Sequence, residues 1–599
     1  MSIDKTNNSA LRAKWRSTDD PSQDGWATEV FNSQADQQLK KIGKMILHPE
    51  KLGEHLVELI DKEFRSSYQY PLPIETVYED KELTVRRFSP SASGSGEEKD
   101  IKQGKTAFTE LIKGIGAPFQ GAKDLRFKFK LYRVNKEKDH ITTYQYFALS
   151  GLTDQGMLEQ NATWRIIWKE RDNGLPVLAN LFVEAFEEVQ GHASTGRLLH
   201  DYTEAVLGDN PSYSNQILHG YQEFLGKIEN THEFNIFGAA GLAVGDVNND
   251  GLDDLYLCQE QGLPNRLYLQ QENGTAVDIS AKAGVDWLES SRSPLFIDFD
   301  NDGDQDLAVT MPGALVLAEN NGQGVFTINT VLALDDDPMS MAAADYDLDG
   351  DVDVYVTLYN PNSFLEKNKN DNRAANTTFV YHDADNGPEN VLLRNDITSG
   401  KKWLFTDVTE ETGLNINNTR FSLAASWEDY DNDGDQDLYV ANDYGRDNLY
   451  RNEMIHKVNG KNVYRKGDNR FLFTDISAES SVEDSAGSMA VTWGDYDRDG
   501  NMDAFISAMW SSAGNRVTFQ EGFKYESPEV KARLQKFAKG NTLLRNHGDG
   551  KFHDKSEDAG VTMGRWAWAS SFADLNNDGW EDLLVANGFL TGDPKGGDL

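Results

Sequence analysis

The sequence predicts a mainly β protein: an α+β domain with an antiparallel sheet, followed by a series of repeated strand–loop–strand units. Three observations carry this. Six copies of one acidic loop punctuate the C-terminal part of the 599-residue chain, each flanked by short apolar stretches. A second block, Asn-x-Leu-x-x-Asn or the shorter Asn-Leu-x-x-Asn, followed by Phe-x-Asp, recurs between the loops. Ahead of both, apolar and charged residues alternate with the period of two expected of strands.

In chain order, residues 1–32 are polar, broken by Asp20-Pro21 and Gly25-Trp26, and are expected to be a flexible N-terminal segment. From Ser33, Leu39, Ile42 and Ile46, then Leu52, Leu56, Leu59 and Phe64 beyond Pro49, recur at steps of three and four, which predicts two helices. Residues 90–103 are rich in Ser and Gly and predict a flexible loop. Leu125, Phe127, Phe129 and Leu131 alternate with Arg126, Lys128 and Lys130; Tyr144–Leu149, Trp164–Trp168 and Val177–Val189 continue the pattern. One apolar and one charged face suit a sheet covered on one side. Two further helices are predicted over 194–207 and 212–228, closing an α+β domain over 33–230. Its helices followed by a long antiparallel sheet resemble the SnoaL-like cone fold. Trp164 and Trp168 read as sheet core rather than ligand-pocket walls. His48, His55, His140, His192, His200 and His219 form no H-x-H or H-E-x-x-H pair.

Over 231–599 the six loops share the pattern D-x-[DN]-x-D-G-x-x-D. The oxygen-bearing positions 1, 3, 5 and 9 are Asp246, Asn248, Asp250 and Asp254 in the first loop and Asp298, Asp300, Asp302 and Asp306 in the second. The third has Asp345, Asp347, Asp349 and Asp353; the fourth has Asp429, Asp431, Asp433 and Asp437. The fifth has Asp495, Asp497, Asp499 and Asp503; the sixth has Asp574, Asn576, Asp578 and Asp582. A hard cation such as calcium takes six to eight oxygens, and a tightly curled loop can converge several of them. Position 6 is Gly in every copy, as expected where a Cβ would obstruct a sharp turn. Position 7 varies freely, as a backbone-carbonyl ligand would allow. An EF-hand would need Glu at position 12, where this chain has Leu257, Val309, Val356, Val440, Ile506 and Val585. The unit is therefore strand, calcium loop, strand, with up to six calcium ions expected.

The first aspartates are spaced by 52, 47, 84, 66 and 79 residues. The shorter spacings suit a four-stranded propeller blade, and the longer ones imply insertions. The block Asn390–Asn395 with Phe405-Thr-Asp recurs as Asn448–Asn452 with Phe473-Thr-Asp and as Asn541–Asn546 with Phe552-His-Asp. These read as the outer strands of each blade. Loop, flanking strands and outer block together resemble the FG-GAP/VCBS-repeat family found in integrin-α headpieces and in ASPIC/UnbV-type bacterial proteins, over residues 232–599. The resemblance implies a β-propeller of six or seven blades with calcium held by the loop residues named above. Only six loops are visible, and the outer strands expected after the sixth are not, so strands near Glu233–Ala243 are candidates to close the ring. No ASPIC-type C-terminal module is visible.

Formal charge is −40, with 98 acidic against 58 basic residues. Six bound divalent ions would bring it to −28, so the acidity is in part a property of the loops. Such a surface repels nucleic acid and anionic membranes. No run of apolar residues is long enough for a membrane-spanning helix. Cys258 is the single cysteine and is expected to be a buried apolar residue. No signal core is visible at the N-terminus, whereas weak calcium modules suit calcium-rich compartments. The expected location is extracellular or periplasmic, with the cytoplasm as the alternative. No nucleophile elbow or phosphate-binding glycine loop is present. The function expected is a calcium-binding scaffold for a protein or glycan partner. The alternative is an enzyme with its site in the α+β domain or on the central face of the propeller. Partner specificity is expected in the inserts Asn360–Glu389, Glu453–Asn469 and Trp510–Gly540. Phe296, Trp427, Trp493 and Phe572, two residues ahead of their loops, read as packing between blades.

Overall fold

The computed structural model describes residues 27–588 apart from 50–55, 68–71, 89–101, 172–173, 193–198, 220–226, 228–239, 335–336, 360–379, 381, 398–402, 459–460, 466–470 and 525. The chain divides into two units. The first comprises Met1–His200 with Ser511–Ser527, the second Asp201–Trp510 with Pro528–Leu599.

In the first unit, helix Ala27–Leu47 buries Phe31, Ala35, Leu39, Ile42 and Ile46 along one stripe. A Cβ at Gly43 would lie 2.0 Å from the Phe127 ring, so the helix lies close against the sheet there. Four long strands, Lys123–Lys136, Ile141–Thr153, Gly156–Lys169 and Val177–Gly191, pair antiparallel in sequence order. Strands Leu83–Phe88 and Glu75–Glu79 extend the sheet beyond Val177–Gly191. Trp164 and Trp168 are fully buried in this core, and the Trp168 indole donates to Thr143 Oγ1 at 2.7 Å. The second predicted helix is mostly strand: Leu56–Leu59 is one helical turn that runs into strand Ile60–Ser66, which pairs parallel with Val177–Gly191. Ile60, Phe64 and Ser66 are buried on one face of that strand, and residues four apart share a face in a strand as they do in a helix. Of the predicted 90–103 loop, Lys102–Gln103 form a short strand against Arg65–Ser66; 90–101 lie outside the described residues.

The insert after Trp510 completes this unit. Helix Ser512–Thr518 starts at Ser511, whose hydroxyl accepts the Gly514 N–H. Arg516 is 8% exposed, forks onto both carboxylate oxygens of Glu29 at 2.8–3.2 Å and donates to the Leu131 carbonyl at 2.7 Å. The Arg133 guanidinium lies 4.0 Å from the centre of the Phe519 ring.

In the second unit, the described residues form five four-stranded antiparallel sheets and a final two-stranded one, each in sequence order. They span 242–278, 294–333, 338–407, 422–475, 488–554 and 567–587. A separate hairpin, Ile455–Val458 with Lys461–Tyr464, is inserted in the fourth. Each acidic loop joins the first strand of a sheet to the second, which opens on the position-9 aspartate.

Aromatic pairs lie between successive sheets where the sequence placed them: Phe296 on Tyr256, Trp427 on Tyr355, Trp493 on Tyr439 and Phe572 on Phe505, all at 6.0–6.3 Å between ring centres. The outer block has its own logic. Ser280, Thr409, Ser477 and Ser556 each donate a hydroxyl to the Asp two residues before. The same hydroxyls accept the N–H of Leu267, Leu392, Leu449 and Leu543, so side-chain oxygens extend the strand pairing.

Two boundaries differ from the sequence reading. Residues from Asp201 on belong with the second unit, because Leu207 packs on Tyr268 and Ala276, and Asn210 bonds the Ala276 carbonyl. The helices predicted over 194–207 and 212–228 are short: Thr203–Leu207 and Pro211–Asn215, with one 3-10 turn at Ile217–His219. Gly208 and Pro211 interrupt the pattern between them. Leu242–Gly245 is the first strand of the first sheet rather than an outer strand of the last. Residues 233–239, in the other part of that candidate closing segment, and 360–379, in the first long insert, lie outside the described residues.

Candidate metal centres

All six loops fold alike. The position-1 carboxylate accepts the backbone N–H of positions 5 and 6. Asp246 takes Asp250 at 3.0 Å and Gly251 at 2.8 Å, and Asp298, Asp345, Asp429, Asp495 and Asp574 repeat the pair at 2.8–3.1 Å. The position-5 carboxylate accepts the N–H of position 7 at 2.8–3.2 Å. These bonds curl the loop. Positions 4 and 6 both sit at positive φ, for example Asn432 at 58° and Gly434 at 103°. The glycine rule has a different cause from the one expected. A Cβ on Gly251, Gly303, Gly350, Gly500 or Gly579 would meet nothing within 4 Å, so the demand is for the backbone conformation, not for space.

Carboxylate oxygens converge within 4.8 Å of one another in four loops: Asp298, Asp300 and Asp302; Asp345, Asp347 and Asp353; Asp429, Asp431 and Asp437; Asp495, Asp497 and Asp503. The first and sixth loops have Asn248 and Asn576 at position 3, each donating to the position-5 carboxylate. Oδ1 of Asp300 and Asp497 and Oδ2 of Asp437 and Asp503 are buried without a hydrogen-bond donor. A buried carboxylate oxygen with no donor costs free energy that a cation would recover, so these oxygens fit a bound ion. Burial pushes the position-9 carboxyls of the first five loops up, against the backbone N–H bonds they accept and with neighbouring carboxylates adding to the rise. Asp254 reaches about 6, Asp306 and Asp503 about 7, and Asp353 about 8. Such a stack of mutually repelling acids is relieved by a divalent cation.

An element the sequence reading passed over holds the position-9 residue. The last residue of the third strand, Asn320, Asn395, Asn452 or Asn546, gives its backbone N–H to Oδ1 of Asp306, Asp353, Asp437 or Asp503 at 2.7–2.8 Å. Its Nδ2 crosses to the preceding loop, donating to the position-2 carbonyl of Val247, Phe299, Tyr346 or Tyr430 at 2.7–2.9 Å. In the first sheet Gln270 supplies only the backbone bond. Neighbouring loops also touch directly: Asn249 donates to Asp304, Asn301 to Asp351 and Asn432 to the Gly500 carbonyl, while the Arg498 guanidinium lies over Trp580.

The fifth loop differs in charge. Arg394 and Arg451 are held by acids two residues on, Asp396 and Glu453. The corresponding Arg545 has His547 at that place and turns to the loop, meeting Asp497 at 2.5 Å and Asp499 at 3.0 Å.

A family profile described as FG-GAP-like repeat matches residues 246–309, 298–356, 429–506 and 535–585. Cartilage acidic protein 1 of Xenopus tropicalis is 37% identical over 71 residues, which cover 12% of this chain and 11% of that protein's length. Among solved structures, a lectin of Agrocybe aegerita described as recognising non-reducing terminal N-acetylglucosamine aligns over 73% of this chain and 86% of its own, at 12% identity and a TM-score of 0.34. A protein of Catenulispora acidiphila in complex with S-DNPA aligns over 26% of this chain and 94% of its own, at 11% identity and a TM-score of 0.18.

Proposed function

The chain belongs, through its repeats across residues 246–585, to the FG-GAP repeat family, and from that premise we propose that its second unit is a calcium-loaded β-propeller serving as a binding scaffold for a protein or glycan. The observation that carries the metal part is the set of buried, donor-free oxygens on Asp300, Asp437, Asp497 and Asp503, each in a loop of one geometry. Contact between successive sheets supports the propeller: first strand to first strand in four of the five steps, and second strand to first strand between the second and third sheets. The staple from the third strand of four sheets to the preceding loop supports a rim built as one piece. The ions stabilise that rim: when bound, calcium supplies positive charge, and positions 1, 3, 5 and 9 supply the oxygens. Weak oxygen-only sites fill where calcium is plentiful, so the protein works outside the cytosol. Among the described residues no helix is long and apolar enough to cross a membrane.

The test is a thermal melt of chelator-stripped protein titrated with calcium and, in parallel, magnesium, with bound ions counted by mass spectrometry. A calcium-specific rise in Tm with several retained ions per chain is expected, since a ligand that binds only the folded state stabilises it. No shift and no retained calcium would leave the loops as acidic turns. A glycan array probed with calcium-loaded and chelated protein then tests the scaffold reading, with calcium-dependent binding expected if the partner is a glycan.

A further inference from the structure

At the end of the first strands away from the acidic loops, the second unit has a cavity of about 140 Å³. Leu423 lines it at the start of strand Ser422–Glu428, and the fourth loop begins at Asp429, about 20 Å away along the strand. Its walls are aromatic: Tyr359, Tyr444, Phe537, Trp566 and Trp568, with methionines filling the gaps. The Tyr444 and Phe537 rings stack at 6.2 Å. The single charged group in the wall is Asp443, 8% exposed. Its Oδ2 accepts the Tyr359 hydroxyl at 2.7 Å, and Tyr444 also bonds it. Among the described residues no Lys or Arg lines the cavity.

We propose that this cavity binds a small organic cation, an alkylated ammonium, with Asp443 as counter-ion and the aromatic faces as its cage. Aromatic faces attract cations through the ring quadrupole, and more strongly when water is excluded. Thioether and ring walls offer no oxygen shell, which disfavours a hard metal ion. The volume equals about four to five waters, the bulk of a quaternary ammonium head. Burial raises the Asp443 carboxyl to about 6, with the two tyrosine hydroxyls opposing the rise. The tyrosine hydroxyls that donate to it favour its ionised form, and a bound cation would compensate that charge. This inference does not depend on calcium in the loops.

The experiment is calorimetric titration of the full chain, in calcium-containing buffer, with choline and with its neutral isostere 3,3-dimethylbutan-1-ol. Saturable choline binding is expected, with the alcohol weaker by about tenfold or more. Asp443→Asn is expected to remove that preference while leaving the weak binding of the alcohol. Because a folded Asp443→Asn is not guaranteed, Trp568→Leu is a second variant, expected to weaken choline about fivefold with Asp443 in place. No saturable choline binding, equal affinity for both probes, or an undiminished preference in a folded Asp443→Asn would each overturn the proposal.

Discussion

Asn452 Nδ2 donates to the Tyr346 carbonyl at 2.8 Å, although 106 residues separate them. The same asparagine gives its backbone N–H to Asp437. One residue thus ties its own metal-loop aspartate to the preceding loop. Asn452→Ala leaves the Tyr346 carbonyl without that donor, at a cost of about 1–3 kcal/mol. The expected result is a lower unfolding midpoint in calcium, together with weaker calcium binding, read by denaturant titration and calorimetry. Unchanged stability would show that the crossing bond contributes nothing.

Gly434 tests the backbone argument. At φ 103° any side chain is strained, so Gly434→Ala should cost about 1–3 kcal/mol. It should also remove close to one calcium from the retained count, because the loop can no longer curl. The surroundings of the equivalent glycines are open, so a larger core-type loss is not expected.

Arg545 occupies part of the charge space that a cation in the fifth loop would use. The fifth site should be weaker than the second, third and fourth. His547→Glu would give Arg545 the acidic partner that Arg394 and Arg451 have, and calcium binding at the fifth loop should then tighten. If the titration curve is unchanged, Arg545 is not a competitor.

Much of this was legible. The spacing of the six loops marks the acidic positions, three of which converge in each of four loops, and the four inter-sheet aromatic pairs lie where Phe296, Trp427, Trp493 and Phe572 stand in the sequence. What was missed shares one cause: the sequence shows residue types, not which partners they reach. Asn395, Asn452 and Asn546 were visible as the ends of a recurring block, but their bonds run to another sheet. Asn320 was invisible, because its block departs from the pattern. Phe64 reads as helical because residues four apart share a face in a strand as well as in a helix.

Asp383 gives a pH test. Burial pushes its carboxyl up, but hydrogen bonds and charges from Arg420 and Arg446 outweigh this and hold it below 3.8. Arg420 lies at 3.0 Å and Arg446 at 3.1 Å, and Arg533 binds the other oxygen. A folded-state value below the unfolded one contributes stability that is complete above the unfolded value and lost as pH falls through the folded one. The stability gap between wild type and Asp383→Asn should therefore be constant from about pH 7 to 5 and narrow below about pH 4. A gap that widens in acid would reverse the assignment.

The Arg516–Glu29 fork predicts its own loss. Arg516→Ala leaves a carboxylate of low exposure without its partner, at about 3–5 kcal/mol. Limited proteolysis should show faster cleavage in residues 1–200 than in the wild type, with Arg516→Lys intermediate.

That fork has a temporal consequence. Glu29 and Arg516 are 487 residues apart, and Leu131 and Arg516 are 385 apart. A ribosome adding about 5–20 residues per second delivers Arg516 tens of seconds after strand Lys123–Lys136 has emerged. Until then the nascent first unit lacks a piece of its own structure, and most of the second is made in the interval. A gene fragment ending near residue 200 would encode a permanently unfinished domain. The shortest sensible expression unit for it carries Ser511–Ser527 on a linker.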